Sequence, residues 1–284
     1  MKFVFYDDFK PGLVKGDCVV DISDMLMGQT PQLVVENFIT RFKVLEPSLM
    51  RLLETRKGRP INELRLRQPI PKPGLILCGV GGFGEGVGRK RPLEFFLKGW
   101  TSICGDGDTV TLPHHQAKIF NHEAELAVVF GGTVKNASRE QAMDAVFGYT
   151  TICDVSARAV PDTNGFWPQK SFDGFGPLGP CLVTKDEIPD PYKLGIRLWV
   201  NKELRQNYNT DDMSHDLPAK IMYLSEVCTL NPGDIMACGT NHHGLGPLQD
   251  GDVVEQEIDC IGKISFKISD PLKRVWDVKE NTRP

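Results

Sequence analysis

The chain has 284 residues, which is enough to bury a large core in one long domain or in a small domain attached to a larger one. The formal net charge is −4 and Lys and Arg are scattered, so the sequence argues against a nucleic-acid partner and for a small-molecule one. The first residues, MKFVFYDDFKPG, contain no apolar stretch long enough for a signal peptide or a spanning helix, so we expect a cytoplasmic protein without a membrane partner. The eight cysteines stand singly among mostly apolar neighbours, which predicts buried free thiols.

Residues 1–70 are predicted to form a small N-terminal α/β domain and a linker. The segments KFVFY and CVVDIS have the composition of strands. Thr30 followed by Pro31 predicts the start of a helix, and apolar residues recur at helical spacing through Phe42. A second short helix is predicted over EPSLMRLLE. A connecting strand, ELRLR, then lies between the turn-forming segments TRKGRP and PIPKPG.

Residues 71–284 show a different pattern, with many short strands separated by turns. One helix is predicted from a capping box at Ser138 and Gln141 to Gly148, and another begins at Pro218. Strands and helices do not alternate strictly, so we predict an α+β fold with a mixed, largely antiparallel β core and few covering helices. The predicted strands are GLILCGV, TVTLP, EAELAVVF, GYTTICDVS, GPCLVT, IRLWVN, DIMACGT, GDVVEQEI and KISFKI.

The glycine-rich segment GVGGFG, residues 79–84, matches the dinucleotide-binding fingerprint. That fingerprint requires a helix to begin at the loop, whereas here Gly86, Gly88 and Pro92 stand where the helix should continue. We therefore reject a nucleotide site. The glycines between Gly81 and Gly88 instead predict a mobile loop, of the kind that often acts as a lid.

A pair of carboxylates, Glu123 and Glu125, precedes the apolar run of EAELAVVF. Alternation along a strand places both on one face with Cβ atoms about 6 to 7 Å apart, which suits two ligands of one hard cation. By themselves the two residues fit an exposed strand face better. Asp154, at the end of another predicted strand, adds a third carboxylate and favours a metal site. His122 would face the opposite side and is predicted to be structural or exposed.

An all-oxygen ligand set favours Mg²⁺ or Mn²⁺. Ca²⁺ is less favoured, and zinc is disfavoured because no His or Cys stands at ligand spacing.

Several motifs in one order make the chain resemble the fumarylacetoacetate hydrolase superfamily from about residue 64 to 270. They are EAEL, DVSAR, KSFDGFGPLGP, VNKELRQ and NPGDIMACGT. The resemblance implies a β-roll-like mixed sheet domain, commonly preceded by a small N-terminal domain, and a homodimer.

The resemblance also implies roles for individual residues. The implied metal ligands are Glu123, Glu125 and Asp154, and the implied substrate-binding residues are Arg158, Lys170 and Thr240. A 2-oxo acid can chelate such a metal ion, and Lys170 beside a cation should have a lowered pKa and stabilise an enolate oxygen. Arg158 would either hold a distal carboxylate of the substrate or brace Asp154. Thr240 would offer its hydroxyl and backbone N–H to the substrate carboxylate.

The sequence departs from its family at the catalytic base. Many relatives carry Asn-Tyr-x-x-His-x-x-Glu on the loop that follows the strand corresponding to GLILC. If Phe83 takes the Tyr position, Gly86 and Arg89 stand in place of the His and the Glu, so the usual base is absent.

Other residues are candidates for this base. His242 and His243 follow Thr240, and in an extended segment either one can face the pocket but not both. Glu85 is a weaker candidate and His215 a third. The alternative for the two consecutive histidines is a turn at the surface.

The sequence therefore predicts a divalent-metal-dependent hydrolase that cleaves a C–C bond in a 2,4-dioxo acid, such as an acylpyruvate from aromatic or sugar-acid catabolism. The alternative is an isomerase, decarboxylase or dehydratase that acts on a 2-oxo acid through a metal-stabilised enolate. A non-catalytic 2-oxo-acid-binding protein is a third hypothesis, and the complete ligand set with Lys170 argues against it.

Overall fold

Sheets dominate the structure, a computed structural model that describes residues 1–85, 92–161 and 164–277. None of the helices in these ranges is long and apolar enough to cross a membrane. The strands, in chain order, are β1 (Lys2–Tyr6), β2 (Lys10–Lys15), β3 (Cys18–Asp21), β4 (Arg59–Pro60), β5 (Leu66–Arg67), β6 (Ile76–Gly79), β7 (Phe95–Leu97), β8 (Ile103–Cys104), β9 (Thr109–Thr111), β10 (Ile119–Asn121), β11 (Ala124–Phe130), β12 (Val146–Cys153), β13 (Ser156–Arg158), β14 (Gly176–Thr184), β15 (Gly195–Val200), β16 (Glu203–Asn209), β17 (Ile235–Ala237), β18 (Val253–Ile258) and β19 (Gly262–Ser269).

The strands form a large mixed sheet, a smaller sheet and an isolated pair. The large sheet has the order β4-β3-β2-β1-β14-β12-β11-β17-β6-β7, with β5 beside β1 and β8 beside β14. The smaller sheet has the order β16-β15-β18-β19-β9, and β10 pairs with β13. Only β17 with β6, β14 with β8 and β19 with β9 are parallel among the described strand pairs. The predicted mixed, largely antiparallel core is confirmed.

The N-terminal strands belong to the large sheet, together with strands from later in the chain. β1 pairs antiparallel with β14, with Lys2 opposite Val183, and β2, β3 and β4 continue outward from β1. The segment before residue 70 therefore shares a sheet with the segment after it. A domain division at residue 70 stays a prediction.

The helices are short except for the first, and their bounds are α1 (Pro31–Thr55), α2 (Arg139–Asp144), α3 (Trp167–Lys170) and α4 (Leu217–Val227). The prediction of two helices between residues 30 and 54 is wrong, because α1 runs through Pro47 without a break. Proline removes one helical hydrogen bond. The buried face of α1 nevertheless continues on both sides of the proline, through Phe38, Leu45 and Leu49, and its packing maintains a single helix.

Other predicted elements differ in their limits. The capping box of Ser138 and Gln141 is present, but α2 ends at Asp144 because β12 already begins at Val146. Only Leu66–Arg67 of the predicted strand ELRLR pairs as a strand. β16 (Glu203–Asn209) was not predicted.

The sheet register brings the acidic residues together. Every residue of β11 is buried, and the strand lies between β12 and β17. Ala124 of β11 is paired with Cys153 of β12, so the residues that flank these two, Glu123, Glu125 and Asp154, lie side by side.

The contact between α1 and the large sheet predicts a stability effect. Phe38 is fully buried and its ring stacks on Phe3 with centroids 4.6 Å apart. Phe38→Ala should lower the free energy of unfolding by about 3–5 kcal/mol through lost burial and a cavity. Val44→Ala, at a position on the same helix that is 75% exposed, should change it by less than about 0.5 kcal/mol. Urea unfolding measures both, and equal midpoints for the two variants would contradict the packing argument.

Candidate metal and substrate site

Three carboxylates form a buried cluster at the end of β11 and β12. One oxygen from each of Glu123, Glu125 and Asp154 lies within 4.8 Å of the other two. The residues are 4%, 1% and 1% exposed, so the alternative of an exposed strand face is wrong. The backbone N–H of Asp154 donates to the carbonyl of Glu123 at 2.8 Å, which ties the two strand ends together.

Three cationic side chains contact two of these carboxylates. Lys98 Nζ lies 2.7 Å from Asp154 Oδ1. Lys170 Nζ lies 2.7 Å from Glu123 Oε2 and 2.8 Å from Asp154 Oδ2. Arg158 donates through Nη2 to Glu123 Oε1. Glu123 and Asp154 are therefore paired on both of their oxygens.

Glu125 is the carboxylate without a cationic contact among the described residues. Its Oε2 accepts a hydrogen bond from the backbone N–H of Gly239 at 2.8 Å. Burial, together with the charges of Asp154 and Glu123, raises the pKa of Glu125 well above its ordinary value. Burial also opposes the charge on Glu123, but Lys170 and Arg158 outweigh it and lower the pKa of Glu123 to about 2.

The donor set of this cluster fits a hard divalent cation. All three ligand atoms are carboxylate oxygens, which suits Mg²⁺ or Mn²⁺ better than a softer metal. A buried carboxylate that lacks a cationic partner, as Glu125 does, carries a large desolvation cost that a bound cation would offset. The three residues therefore form a candidate metal centre.

Lys170 is buried and lies against both acidic residues that it contacts. Burial lowers its pKa, but the attraction of Asp154 and Glu123 is stronger, so the net shift of the Lys170 pKa is upward. The expected lowering concerns a lysine beside a bound cation and stays a prediction. The Lys170 ammonium also lies 5.4 Å from the centroid of the Phe96 ring.

Arg158 does not brace Asp154, as one alternative from the sequence predicted, but a different carboxylate. It contacts Glu123, whereas Asp154 is held by Lys98 and Lys170. The Nε of Arg158 is buried and has no hydrogen-bond partner in the described part of the chain. That unused donor is compatible with a contact to substrate.

Thr240 is buried in a hydrogen-bond network that joins two sheets. Its Oγ1 donates to the carbonyl of Ala124 at 3.0 Å and accepts from Gln206 Nε2 at 2.9 Å. Gln206 also accepts from the backbone N–H of Ala124 at 3.1 Å and from His122 Nδ1 at 3.0 Å. The Thr240 hydroxyl is thus engaged within the protein, and its role toward substrate stays a prediction.

His122 was predicted to be either structural or exposed, and the structural alternative is the one that the structure has. It is fully buried, and burial lowers the pKa of His122 to about 4, so the ring is neutral near pH 7.

A histidine and a glutamate pair at the edge of the same site. Glu85 Oε1 accepts from the backbone N–H of His242 at 2.8 Å and also contacts His242 Nδ1. An ionised carboxylate only accepts hydrogen bonds, so in the neutral form of the ring this contact places the hydrogen on Nδ1 and makes Nε2 the acceptor nitrogen. His243, by contrast, is exposed. His215 does not line the cavity described below.

The glycines of residues 79–84 permit this segment to lie close to the backbone at Cys238. A Cβ on Gly82 would lie 2.2 Å from the carbonyl oxygen of Cys238, so only glycine fits there. Gly84 donates to the carbonyl of Asp212 at 2.8 Å, and Ser214 donates to that of Gly82 at 2.9 Å. These contacts attach residues 82–84 to the body of the protein. Gly86, Gly88 and Arg89, on which the lid and missing-base predictions rest, lie outside the described residues.

A cavity of about 40 Å³ connects these groups. The rings of Phe96 and Phe166, on its wall, stack with centroids 5.1 Å apart. The polar side chains that line it are those of Glu123, Arg158, Lys170, Thr240 and His242. The fold therefore brings together the acidic cluster, the lysine, the arginine and His242, one of the three candidate histidines.

Sequence reasoning missed Lys98, Gln206 and Asp212. Lys98 follows a short apolar run, FFL, where a buried lysine is unusual, and that is the one local signal for it. Gln206 belongs to the quoted motif VNKELRQ, but no pattern shows that it joins two sheets.

Known proteins now place the chain in a family. Residues 84–269 match the family described as fumarylacetoacetate (FAA) hydrolase C-terminal. Maleylpyruvate hydrolase of Aquipseudomonas alcaligenes is 33% identical over 292 residues, which cover 94% of this chain and 99% of that protein. The chain belongs to the fumarylacetoacetate hydrolase family, and this prediction is confirmed.

Two further relatives show the range of the family. Mitochondrial oxaloacetate tautomerase fahd2 of Xenopus laevis is 41% identical over 219 residues, covering 72% of this chain and 68% of that protein. The crystal structure of maleylpyruvate hydrolase from Sphingobium sp. SYK-6 with manganese(II) and pyruvate has a TM-score of 0.87 and 33% identity, covering 95% of this chain and 99% of that one.

The raised pKa of Glu125 predicts that metal binding releases a proton. The ion requires the charged carboxylate, whereas burial favours the neutral form, so affinity should rise with pH. Titration calorimetry with Mn²⁺ in buffers of different ionisation enthalpy should show net proton release on binding. Glu125→Gln should abolish the release and weaken binding. A Mn²⁺ affinity that does not rise with pH would contradict this assignment.

Proposed function

We propose that the protein is a Mg²⁺- or Mn²⁺-dependent hydrolase that cleaves a C–C bond in a 2,4-dioxo acid of the acylpyruvate type. The observation that carries the proposal is the pairing of His242 with Glu85 beside the cavity that Glu123 and Lys170 also line. The maleylpyruvate hydrolase relative, aligned over nearly its whole length, supports the reaction class. Pyruvate in the related crystal structure supports the product, because such a cleavage yields pyruvate.

Glu123, Glu125 and Asp154 would hold the divalent ion, which when bound supplies Lewis-acid polarisation of the substrate's 2-oxo group. The ligand side chains are held in advance by Lys98, Lys170 and Arg158 and by the N–H of Gly239.

His242 would act as the general base. Its Nδ1 is turned to Glu85, so Nε2 remains to take a proton from water as the water oxygen adds to the C4 carbonyl of the substrate. The bond between C3 and C4 then breaks, the acyl part leaves as a carboxylic acid, and the electron pair goes to the pyruvate enolate. The proton held by His242 returns to C3 and completes pyruvate. One water is consumed for each bond cleaved.

Lys170 would stabilise the enolate oxygen. An ammonium group has three donors, and the contacts to Glu123 and Asp154 use two of them. The third is available to the substrate, since Lys170 lines the cavity. A cationic donor fixed in a buried site stabilises developing negative charge more strongly than water does.

Arg158 would bind a second carboxylate on the substrate. Its buried Nε lacks a partner among the described residues, and leaving such a donor unpaired is costly. A distal carboxylate would satisfy it. This favours a dicarboxylic 2,4-dioxo acid over a neutral acyl chain, and the small-molecule partner is accordingly proposed to be a dianion. The cytoplasmic location and the homodimer remain part of the proposal.

The second candidate is tautomerisation or another enolate reaction of a 2-oxo acid. The tautomerase relative favours it, and so does the fact that Lys170 and the acidic cluster can support an enolate without activated water. The non-catalytic hypothesis is disfavoured, because simple binding would not require the paired His242 and Glu85.

Substitution of His242 separates the two candidates. His242→Asn should lower kcat for acylpyruvate hydrolysis by about 100-fold or more, because general-base catalysis contributes roughly that much. His243→Asn changes the exposed neighbour and should leave kcat near the wild-type value. Mn²⁺ affinity, measured alongside, should be unchanged in both, and EDTA should stop turnover.

Two results would count against a hydrolase. Hydrolysis at the wild-type rate by His242→Asn would show that His242 is not the general base. Rapid oxaloacetate tautomerisation by wild type, without hydrolysis of any acylpyruvate, would favour the second candidate.

A further inference from the structure

The paired Glu85 and His242 come from two separate segments of the chain. Glu85 lies beyond β6, and His242 lies on the loop after β17. β6 and β17 pair as parallel strands up to Cys78 and Ala237, and this pairing ends before Glu85 and His242 are reached. The two residues therefore depend on other contacts to stay aligned. Both segments contact the short 3₁₀ turn Thr210–Asp212.

A single oxygen of Asp212 joins the two segments. Asp212 Oδ2 accepts from the backbone N–H of Glu85 at 3.2 Å and from Asn241 Nδ2 at 3.0 Å. Asn241 directly precedes His242. The carbonyl of Asp212 also accepts from Gly84 at 2.8 Å. Asp212 therefore contacts the backbone of the Glu85 segment and, through the Asn241 side chain, the segment that carries His242.

The backbone of Glu85 needs this support. Its φ is +51°, a conformation that residues other than glycine adopt rarely and that persists when neighbouring contacts hold it. The bonds from Gly84 and Glu85 to Asp212 are such contacts. Asp212 itself does not belong to the cavity wall of the described structure, so any effect on the reaction must pass through other residues.

We propose that Asp212 is a positioning residue that aligns Glu85 with His242, an inference that rests on the proposed role of His242 as the base. A displacement of about 1 Å at a catalytic group can reduce the rate by about 100-fold. Loss of Asp212 should therefore impair turnover while leaving the substrate-binding groups in place.

Four variants test the role of the bridging oxygen. Asp212→Ala removes it. Asp212→Asn keeps an acceptor oxygen of the same reach and is the conservative variant. Asp211→Ala removes the same charge from the exposed neighbouring position and is the matched control. Asn241→Asp disrupts the hydrogen bond between Asn241 and Asp212, because it replaces the donating amide with a second carboxylate.

Asp212→Ala and Asn241→Asp should each lower kcat for acylpyruvate hydrolysis by about 30-fold to 100-fold, with KM and Mn²⁺ affinity within about 3-fold of wild type. Asp212→Asn should recover kcat to within about 5-fold, and Asp211→Ala should match wild type. Wild-type kcat in both Asp212→Ala and Asn241→Asp would overturn the proposal. If Asp212→Ala fails to fold, Asn241→Asp decides the question, because it creates no cavity.

A double-mutant cycle checks that Asp212 acts through Glu85. In a Glu85→Ala background, Asp212→Ala should lower kcat by less than about 2-fold more, because the positioned group is already gone. A second full decrease in that background would show an independent effect and overturn the proposal.

The protonation state of the His242 ring gives a readout independent of turnover. In the Mg²⁺-loaded protein, long-range ¹H–¹⁵N spectra should show the Nδ1-protonated tautomer of His242 in wild type and a tautomer mixture in Asp212→Ala. Identical His242 signals in the two proteins would overturn the positioning role even where hydrolysis is observed. If wild type hydrolyses no acylpyruvate but the spectra differ as expected, the proposed reaction fails and the positioning role stands.

Discussion

The burial of three carboxylates within 4.8 Å of one another is the constraint on which the rest of this structure depends. Removing charged groups from water is expensive unless each finds compensation. Lys98, Lys170 and Arg158 compensate two of the three, and Glu125 is left with a single backbone donor and a raised pKa. A divalent cation, as proposed, would supply the positive charge that Glu125 lacks, and the surrounding protein must hold several buried charges at fixed distances.

The sheets supply that rigidity. β11 is buried along its whole length between β12 and β17, so neither Glu123 nor Glu125 can move without disturbing paired strands. Gln206 adds a connection to the smaller sheet, because its amide bonds to the strand that carries the glutamates and to the turn that carries Thr240. Side chains supported in this way lose little freedom on binding a ligand, which is the property that catalytic and metal sites require.

The proposed acid–base pair joins residues from two different segments of the chain. The sequence lacks the histidine and glutamate that relatives carry together on one loop, yet Glu85 and His242 contact each other from two different segments. The glycines of residues 79–84, which resemble a nucleotide fingerprint, permit this contact because the two backbones approach too closely for side chains at Gly82.

The sequence by itself determined the family, the mixed sheet and the acidic cluster, because alternation along a strand and the order of short motifs are local properties. Spacing put Glu123 and Glu125 on one face, and the capping box at Ser138 began a helix, as the structure has it. Only the tertiary structure decided that α1 continues through Pro47, that Lys98 pairs with Asp154, and that His242 rather than His243 lines the cavity. Each of these depends on contacts between residues distant in the chain, whose packing and charge energies no local pattern records.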